Sequence, residues 1–102
     1  PVASCSNNGT ISPQSNLGPT IGNRGIMAPG ESITSTYASG GYITASGTSV
    51  AAPFVTGTLA LLWSIYPKKT ASELKFSLLT QRKRSIVPSL LDAYSAFKRL
   101  GK

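Results

Sequence analysis

Gly47-Thr48-Ser49-Val50-Ala51-Ala52-Pro53-Phe54-Val55-Thr56-Gly57 runs without a break into the apolar segment from Thr58 to Tyr66. The pattern reads as a nucleophile placed at the start of a buried helix. Gly47 permits a close approach of backbone, Thr48 is expected to cap the first turn, and Ser49 follows where unpaired amides point outward. A serine hydroxyl attacking a carbonyl creates negative charge, which the Ser49 N–H and the helix dipole are placed to stabilise. The plainer reading is that Gly-Thr-Ser only begins a helix, since Thr and Ser are common at helix starts.

The longer string Gly47-Thr48-Ser49-x-Ala51-x-Pro53-x-Val55-x-Gly57 resembles the active-site serine signature of the subtilisin-like serine proteases, the subtilases. Ile26-Met27-Ala28-Pro29-Gly30 with Ile33-Thr34-Ser35-Thr36 is similar to the segment that precedes that serine in the family. Leu59 to Pro67 resembles the helix carrying the nucleophile, and Ser85 to Phe97 the closing strand and helix. Two departures are visible: Val50 and Phe54 stand where many members have Met and His. The resemblance implies an α/β chain, part of a three-layer subtilisin-like fold with a mostly parallel sheet, a β-hairpin and a long buried helix starting at the nucleophile. It implies Ser49 as catalytic nucleophile and oxyanion donor, Gly47, Thr48 and Pro53 as supports of the nucleophile turn, and Ala45 and Ser46 as the border of the substrate cleft. Ala51 to Gly57, Leu62-Trp63-Ser64 and Val87 to Ala93 look most like proteases of cyanobactin-type peptide maturation. That likeness would favour a bacterial cytoplasmic setting and, in some members, acyl transfer to an amine.

The composition limits what these residues do alone. The chain has 102 residues and no histidine, whereas a serine of this kind needs a general base. In subtilases the chain order is Asp, His, Ser, so the resemblance places both partners, with the asparagine that completes the oxyanion site, before Pro1. Residues 1–102 are therefore expected to be the serine-bearing C-terminal part of a catalytic domain, inactive in isolation, with the missing N-terminal part as their partner and a peptide or protein as substrate. A lysine base within the chain is disfavoured. Lys68 and Lys69 lie roughly 28 Å from Ser49 along the helix axis, and nothing in the sequence positions Lys75. No carboxylate occurs between Pro1 and Gly30, so no metal ligand is carried over, and no cofactor is implied.

In chain order, Val2 to Ser4 reads as the end of a strand. Cys5 is the single cysteine, which excludes an internal disulfide, and it reads as a small packed side chain. Ser6 to Gly22, rich in Ser, Asn, Gly and Pro, reads as an ordered surface loop with a turn at Asn7-Asn8-Gly9. Gly25 to Ala28 forms a strand ended by Pro29-Gly30. Ile33 to Tyr37 and Gly41 to Ala45 form a hairpin about Ala38-Ser39-Gly40 that aims the Gly47 turn. Pro53 is expected in the first helical turn, where its missing N–H costs little, and Gly57 to permit tight packing against the sheet. After Pro67, Thr70-Ala71-Ser72-Glu73 is a capping box opening a surface helix to about Thr80, with Leu74, Leu78, Phe76 and Leu79 in two apolar rows. Ser85 to Val87 reads as a short strand. Leu90, Leu91, Tyr94, Phe97 and Leu100 recur at helical spacing, Asp92 reads as a surface residue of that last helix, and Gly101 suits its C′ position.

From Val50 to Tyr66 no residue is charged, which raises a membrane reading. The run is short and contains Pro53, Thr56, Gly57 and Thr58, and a helix buried on all sides in an α/β core has the same composition, so no membrane span is expected. The net charge of +7 falls wholly in residues 68–102, which hold every Lys and Arg except Arg24. Gln81-Arg82-Lys83-Arg84 lacks aromatic neighbours for base stacking, so a solvated face is preferred and no nucleic-acid partner is expected. Besides a protease, a non-catalytic scaffold of the same fold and a basic membrane- or nucleic-acid-associated module are the alternatives.

Overall fold

In the computed structural model, residues 1–13, 15, 17–79 and 88–101 are described. Three strands form a parallel sheet in the order β1 (Val2–Cys5), β2 (Ile26–Pro29) and β5 (Ser89–Leu90), with Val2 opposite Ile26 and Ile26 opposite Ser89. Ala3, Ser4, Cys5, Ile26, Met27 and Ala28 are all buried. Burial of successive residues, without alternation, marks strands covered on both faces. β3 (Ile33–Thr36) and β4 (Tyr42–Ala45) form a separate antiparallel hairpin, with Ile33 opposite Ala45 and Thr36 opposite Tyr42. Its tip closes through Gly40 and Gly41, both at positive φ. The mixed α/β class, the parallel sheet and the hairpin all agree with the expectation.

α2 (Thr48–Ile65) packs on β1 and β2 through Ala51 and Val55 and carries Leu62 into the same core. By length and composition alone it could cross a membrane; here it lies along the sheet. The expectation of burial on all sides is not met within these residues. A single stripe is covered, while Phe54, Leu61, Trp63 and Ile65 are exposed. Gly57 lies off that stripe, and a Cβ there would meet nothing within 4 Å. It therefore plays no part in packing against the sheet, contrary to the sequence reading.

α3 (Ala71–Leu78) opens with the expected capping box: Thr70 Oγ1 accepts from Glu73 N at 3.1 Å and Glu73 Oε1 accepts from Thr70 N at 3.0 Å. Leu74 and Leu78 are buried and Phe76 is exposed. The apolar row through Leu74 thus faces the core, and Phe76 points to solvent. α4 (Ala93–Leu100) packs against α3, with Ala96 and Leu100 inward. The Tyr66 ring meets Phe97 at a centroid distance of 5.9 Å, tying the end of α2 to α4.

Four local expectations are revised. A helix, α1 (Pro19–Arg24), begins inside the segment read as loop, with proline in its first turn. The closing strand is Ser89–Leu90; Ser85 to Val87, like the Gln81–Arg84 stretch and the Thr80 helix end, lie outside the described residues. Leu90 is accordingly a strand residue, and Asp92 is the N-cap of α4, its carboxylate accepting from Ser95 N at 3.0 Å. A short carboxylate preceding an apolar-periodic run is a cap signal. Gly101 ends α4 with right-handed φ −79°, so no left-handed cap is formed.

Candidate active site

Ser49 is the second residue of α2, at the carboxyl ends of β1 and β2. Two backbone hydrogen bonds hold it there. Gly30, the residue after β2, donates its N–H to Cys5 O at 3.0 Å and accepts from Gly47 N at 2.7 Å. Gly47 is the N-cap, at φ 134° and ψ 170°, a conformation essentially confined to glycine. Thr48 is therefore the first helical residue and not the cap, and no side chain caps α2. The backbone leaves the β-hairpin at Gly47 with a conformation no capping threonine could adopt.

Four amides at a helix start lack intrahelical acceptors. Gly47 N is taken by Gly30 O, and Val50 N turns back to Gly47 O at 3.1 Å. The amides of Thr48 and Ser49 remain, beside the Ser49 hydroxyl, which has no hydrogen-bond partner among the described residues. Pro53 is the sixth helical residue, inside the helix and past the first turn. Its missing N–H leaves the Ser49 carbonyl without the usual i+4 donor. The Ser49 hydroxyl, two amides without intrahelical acceptors and a carbonyl without its i+4 donor thus share one turn.

A cleft of about 430 Å³ opens at Ser49, with Ile33, Thr34, Ala45, Val50, Pro53 and Phe54 among its lining residues. Ala45 borders it. Ser46 does not line it; its Oγ accepts from Ser32 N at 2.8 Å, and Ser32 stands at φ 52°. Val50 and Phe54, the two departures from the signature, both face the cleft. Lys75 lines a different cavity, with Arg24, Val55 and Leu59, so the structure gives it no route to Ser49.

Sequence reasoning missed a group of polar side chains under the turn. Ser4 and Ser12 are buried with their hydroxyls 3.1 Å apart, and Ser12 Oγ donates to Glu31 Oε2. Ser15 Oγ accepts from Ser4 N at 2.8 Å. Burial, and secondarily the Glu31 carboxylate, pushes the neighbouring Cys5 thiol up, which leaves it a packed thiol as its sequence context implied. The composition of Ser6 to Gly22 signals a surface loop; only the fold shows that Ser12 and Ser15 turn from it to meet Ser4 of β1.

A serine at the amino end of an apolar helix, set at the carboxyl edge of a parallel sheet, is the arrangement of serine peptidases built on α/β folds. The chain belongs to the subtilase family, whose sequence profile matches residues 1–95. It is 48% identical over 50 residues to subtilisin DY of Bacillus licheniformis, covering 49% of this chain and 18% of that protein. It is 40% identical over 74 residues to a thermostable alkaline protease of Halalkalibacterium halodurans, covering 72% and 20% respectively. Among solved structures, the self-cleaved protease domain of PatA superposes with a TM-score of 0.84 at 32% identity, over 98% of this chain and 40% of that one. The PatG macrocyclase domain does so with a TM-score of 0.83 at 26% identity, over 99% and 36%. These neighbours, with a patellamide maturation protease among them, accord with the likeness to peptide-maturation subtilases. The chain spans about a fifth of the length of these curated relatives and about two-fifths of these solved chains.

Proposed function

We propose that these residues form the serine-bearing part of a subtilisin-type endopeptidase, in which Ser49 attacks a peptide carbonyl and forms an acyl-enzyme. The observation that carries this reading is the free Ser49 hydroxyl in an open cleft, beside the unclaimed amides of Ser49 itself and of Thr48. As the carbonyl carbon becomes tetrahedral, its oxygen gains charge; the Ser49 amide stabilises it, at about 3 kcal/mol for one such donor. The peptide C–N bond then breaks and the leaving amine takes the proton that the base removed from Ser49; water releases the acyl group from Ser49, or an amine does so by transpeptidation, the course suggested by the macrocyclase among the structural relatives.

The proton of Ser49 must go to a base supplied from outside these residues, because the sequence holds no histidine. An Asp, a His and an oxyanion Asn on the rest of the catalytic domain complete the site in this reading, and the exposed face of α2 is the surface that domain covers. That covering also accounts for the uncharged helix without a membrane, and leaves the basic C-terminal third as a solvated face with no nucleic-acid partner. The second reading is a subtilase fold kept as a binding scaffold, which would lack the Asp or the His on the adjoining sequence.

The test is to determine the coding sequence that adjoins this chain and to express the complete protein. The expected result is an Asp, then a His, then an Asn on the adjoining sequence, peptide cleavage or ligation by the whole protein, and loss of turnover in Ser49→Ala with folding unchanged. Retained turnover in Ser49→Ala, or replacement of the Asp or His, overturns the protease reading and leaves the scaffold.

A further inference from the structure

We infer that Glu31 is a positioning residue for the nucleophile, acting as a clamp on the peptide unit that suspends the Ser49 turn. The inference rests on the reading of Ser49 given above and extends it to a residue outside the serine signature.

The segment Gly30-Glu31-Ser32 is bonded twice to the nucleophile loop. Gly30 O accepts from Gly47 N at 2.7 Å, and Ser32 N donates to Ser46 Oγ at 2.8 Å. Glu31 lies between these two bonds, and its side chain is bonded instead to Ser12 Oγ, whose own neighbour is the hydroxyl of Ser4. The carbonyl that holds Gly47 belongs to the peptide unit joining Gly30 to Glu31. Fixing the Glu31 side chain therefore fixes the plane of that peptide, and with it the direction and height of the Gly47 amide.

The anchor is rigid. Ser4 and Ser12 are 0% and 2% exposed, and Ser12 N is itself bonded to Ser4 O at 2.9 Å in β1. Gly30 leaves no room for the unit to shift toward β1: a Cβ on it would stand 2.3 Å from Ser4 Oγ and 2.6 Å from Gly47 O. Gly30 and the peptide unit that follows it are thus held by Cys5 O through the Gly30 N–H of the preceding peptide, by Ser12 through the Glu31 side chain, and by the close approach of Ser4. Released at Glu31, that unit loses one of these restraints, and the shift this allows is passed through the Gly30–Gly47 bond to Gly47 and Ser49. Because reacting atoms must meet within a few tenths of an ångström, such a shift lowers the rate of attack without altering the substrate cleft.

The experiment uses the complete protein with the variants Glu31→Ala, Glu31→Gln and Ser12→Ala. Three quantities are read well below each variant's melting temperature: the rate of covalent labelling of Ser49 by a fluorophosphonate, kcat, and KM for a peptide substrate. In Glu31→Ala and Ser12→Ala, labelling and kcat are expected to fall by about tenfold, part of the roughly hundredfold that a 1 Å misplacement costs, with KM unchanged. Glu31→Gln keeps an oxygen that accepts from Ser12 and is expected to restore most of the rate. The double variant Ser12→Ala/Glu31→Ala is expected to be no slower than either single change, since both break one chain of bonds. Unchanged labelling in Glu31→Ala, a rise in KM alone, or additive losses in the double variant overturn the inference while the protease reading stands. A wild-type protein that neither labels nor turns over overturns both.

Discussion

Gly47 donates its amide to Gly30 O at 2.7 Å, from φ 134°. This bond joins the residue before the serine helix to the residue after the central strand. It requires glycine at both ends, for different reasons. Gly47 needs a backbone conformation closed to side chains, and Gly30 needs the space that a Cβ would take from Ser4 and Gly47.

Gly47→Ala is accordingly expected to cost on the order of 1–3 kcal/mol, the strain of an L-residue in that region of φ and ψ. Urea denaturation measures it, and wild-type stability in the variant would show that the turn adopts another conformation.

Thr70→Ala and Thr48→Ala separate a real cap from an apparent one. Loss of the Thr70 hydroxyl, which accepts from Glu73 N, should cost about 1 kcal/mol. Thr48 makes no capping bond, so its replacement should leave stability nearly unchanged. Equal losses in the two variants would contradict the placement of Gly47 at the N-cap.

Leu74 is 1% exposed in the core between α2, α3 and α4. Leu74→Ala should destabilise by about 2–5 kcal/mol through lost transfer energy and the cavity left behind. Phe76→Ala, two residues on and exposed, should change stability by less than about 0.5 kcal/mol. Comparable melting temperatures for the two variants would reverse the assigned faces of α3.

The carboxyls of Asp92 and Glu73 are held below their ordinary values, chiefly by hydrogen bonds with the backbone N–H groups of Ser95 and Thr70. A carboxyl whose value is lowered on folding contributes stability above its unfolded value, and that contribution disappears as pH falls through the folded one. The window is therefore below about pH 4, where free carboxyls protonate. Asp92→Asn keeps a capping oxygen without the titration. Wild type should be the more stable near neutral pH, with the gap closing on acidification below about pH 4. A gap independent of pH would remove the charged cap as its cause.

Part of this was legible in the residues. The Thr70–Glu73 capping box and the hairpin about Ala38-Ser39-Gly40 were readable because their partners lie within a few positions of one another. α1 was hidden by loop-like composition, although Pro19 and Arg24 mark its two ends as proline and a basic residue commonly do. Asp92 reads as a helix residue in the sequence because Leu90 and Leu91 happen to continue the helical spacing back into β5 and the residue after it.

The sequence by itself determined the serine signature, the helix that follows it and the lack of histidine, because the first two are local patterns and the last is a matter of composition. Tertiary structure alone decided how the turn is held. The Gly30–Gly47 bond and the Ser12–Glu31 contact, the latter between residues 19 apart in sequence, join segments whose meeting no short-range pattern encodes. Which face of α2 is covered was likewise settled by β1 and β2, since a helix apolar on every side carries no periodicity to mark its inner stripe. Pro53, Gly57 and Glu31 acquire their places only once the sheet has fixed that stripe and the turn above it.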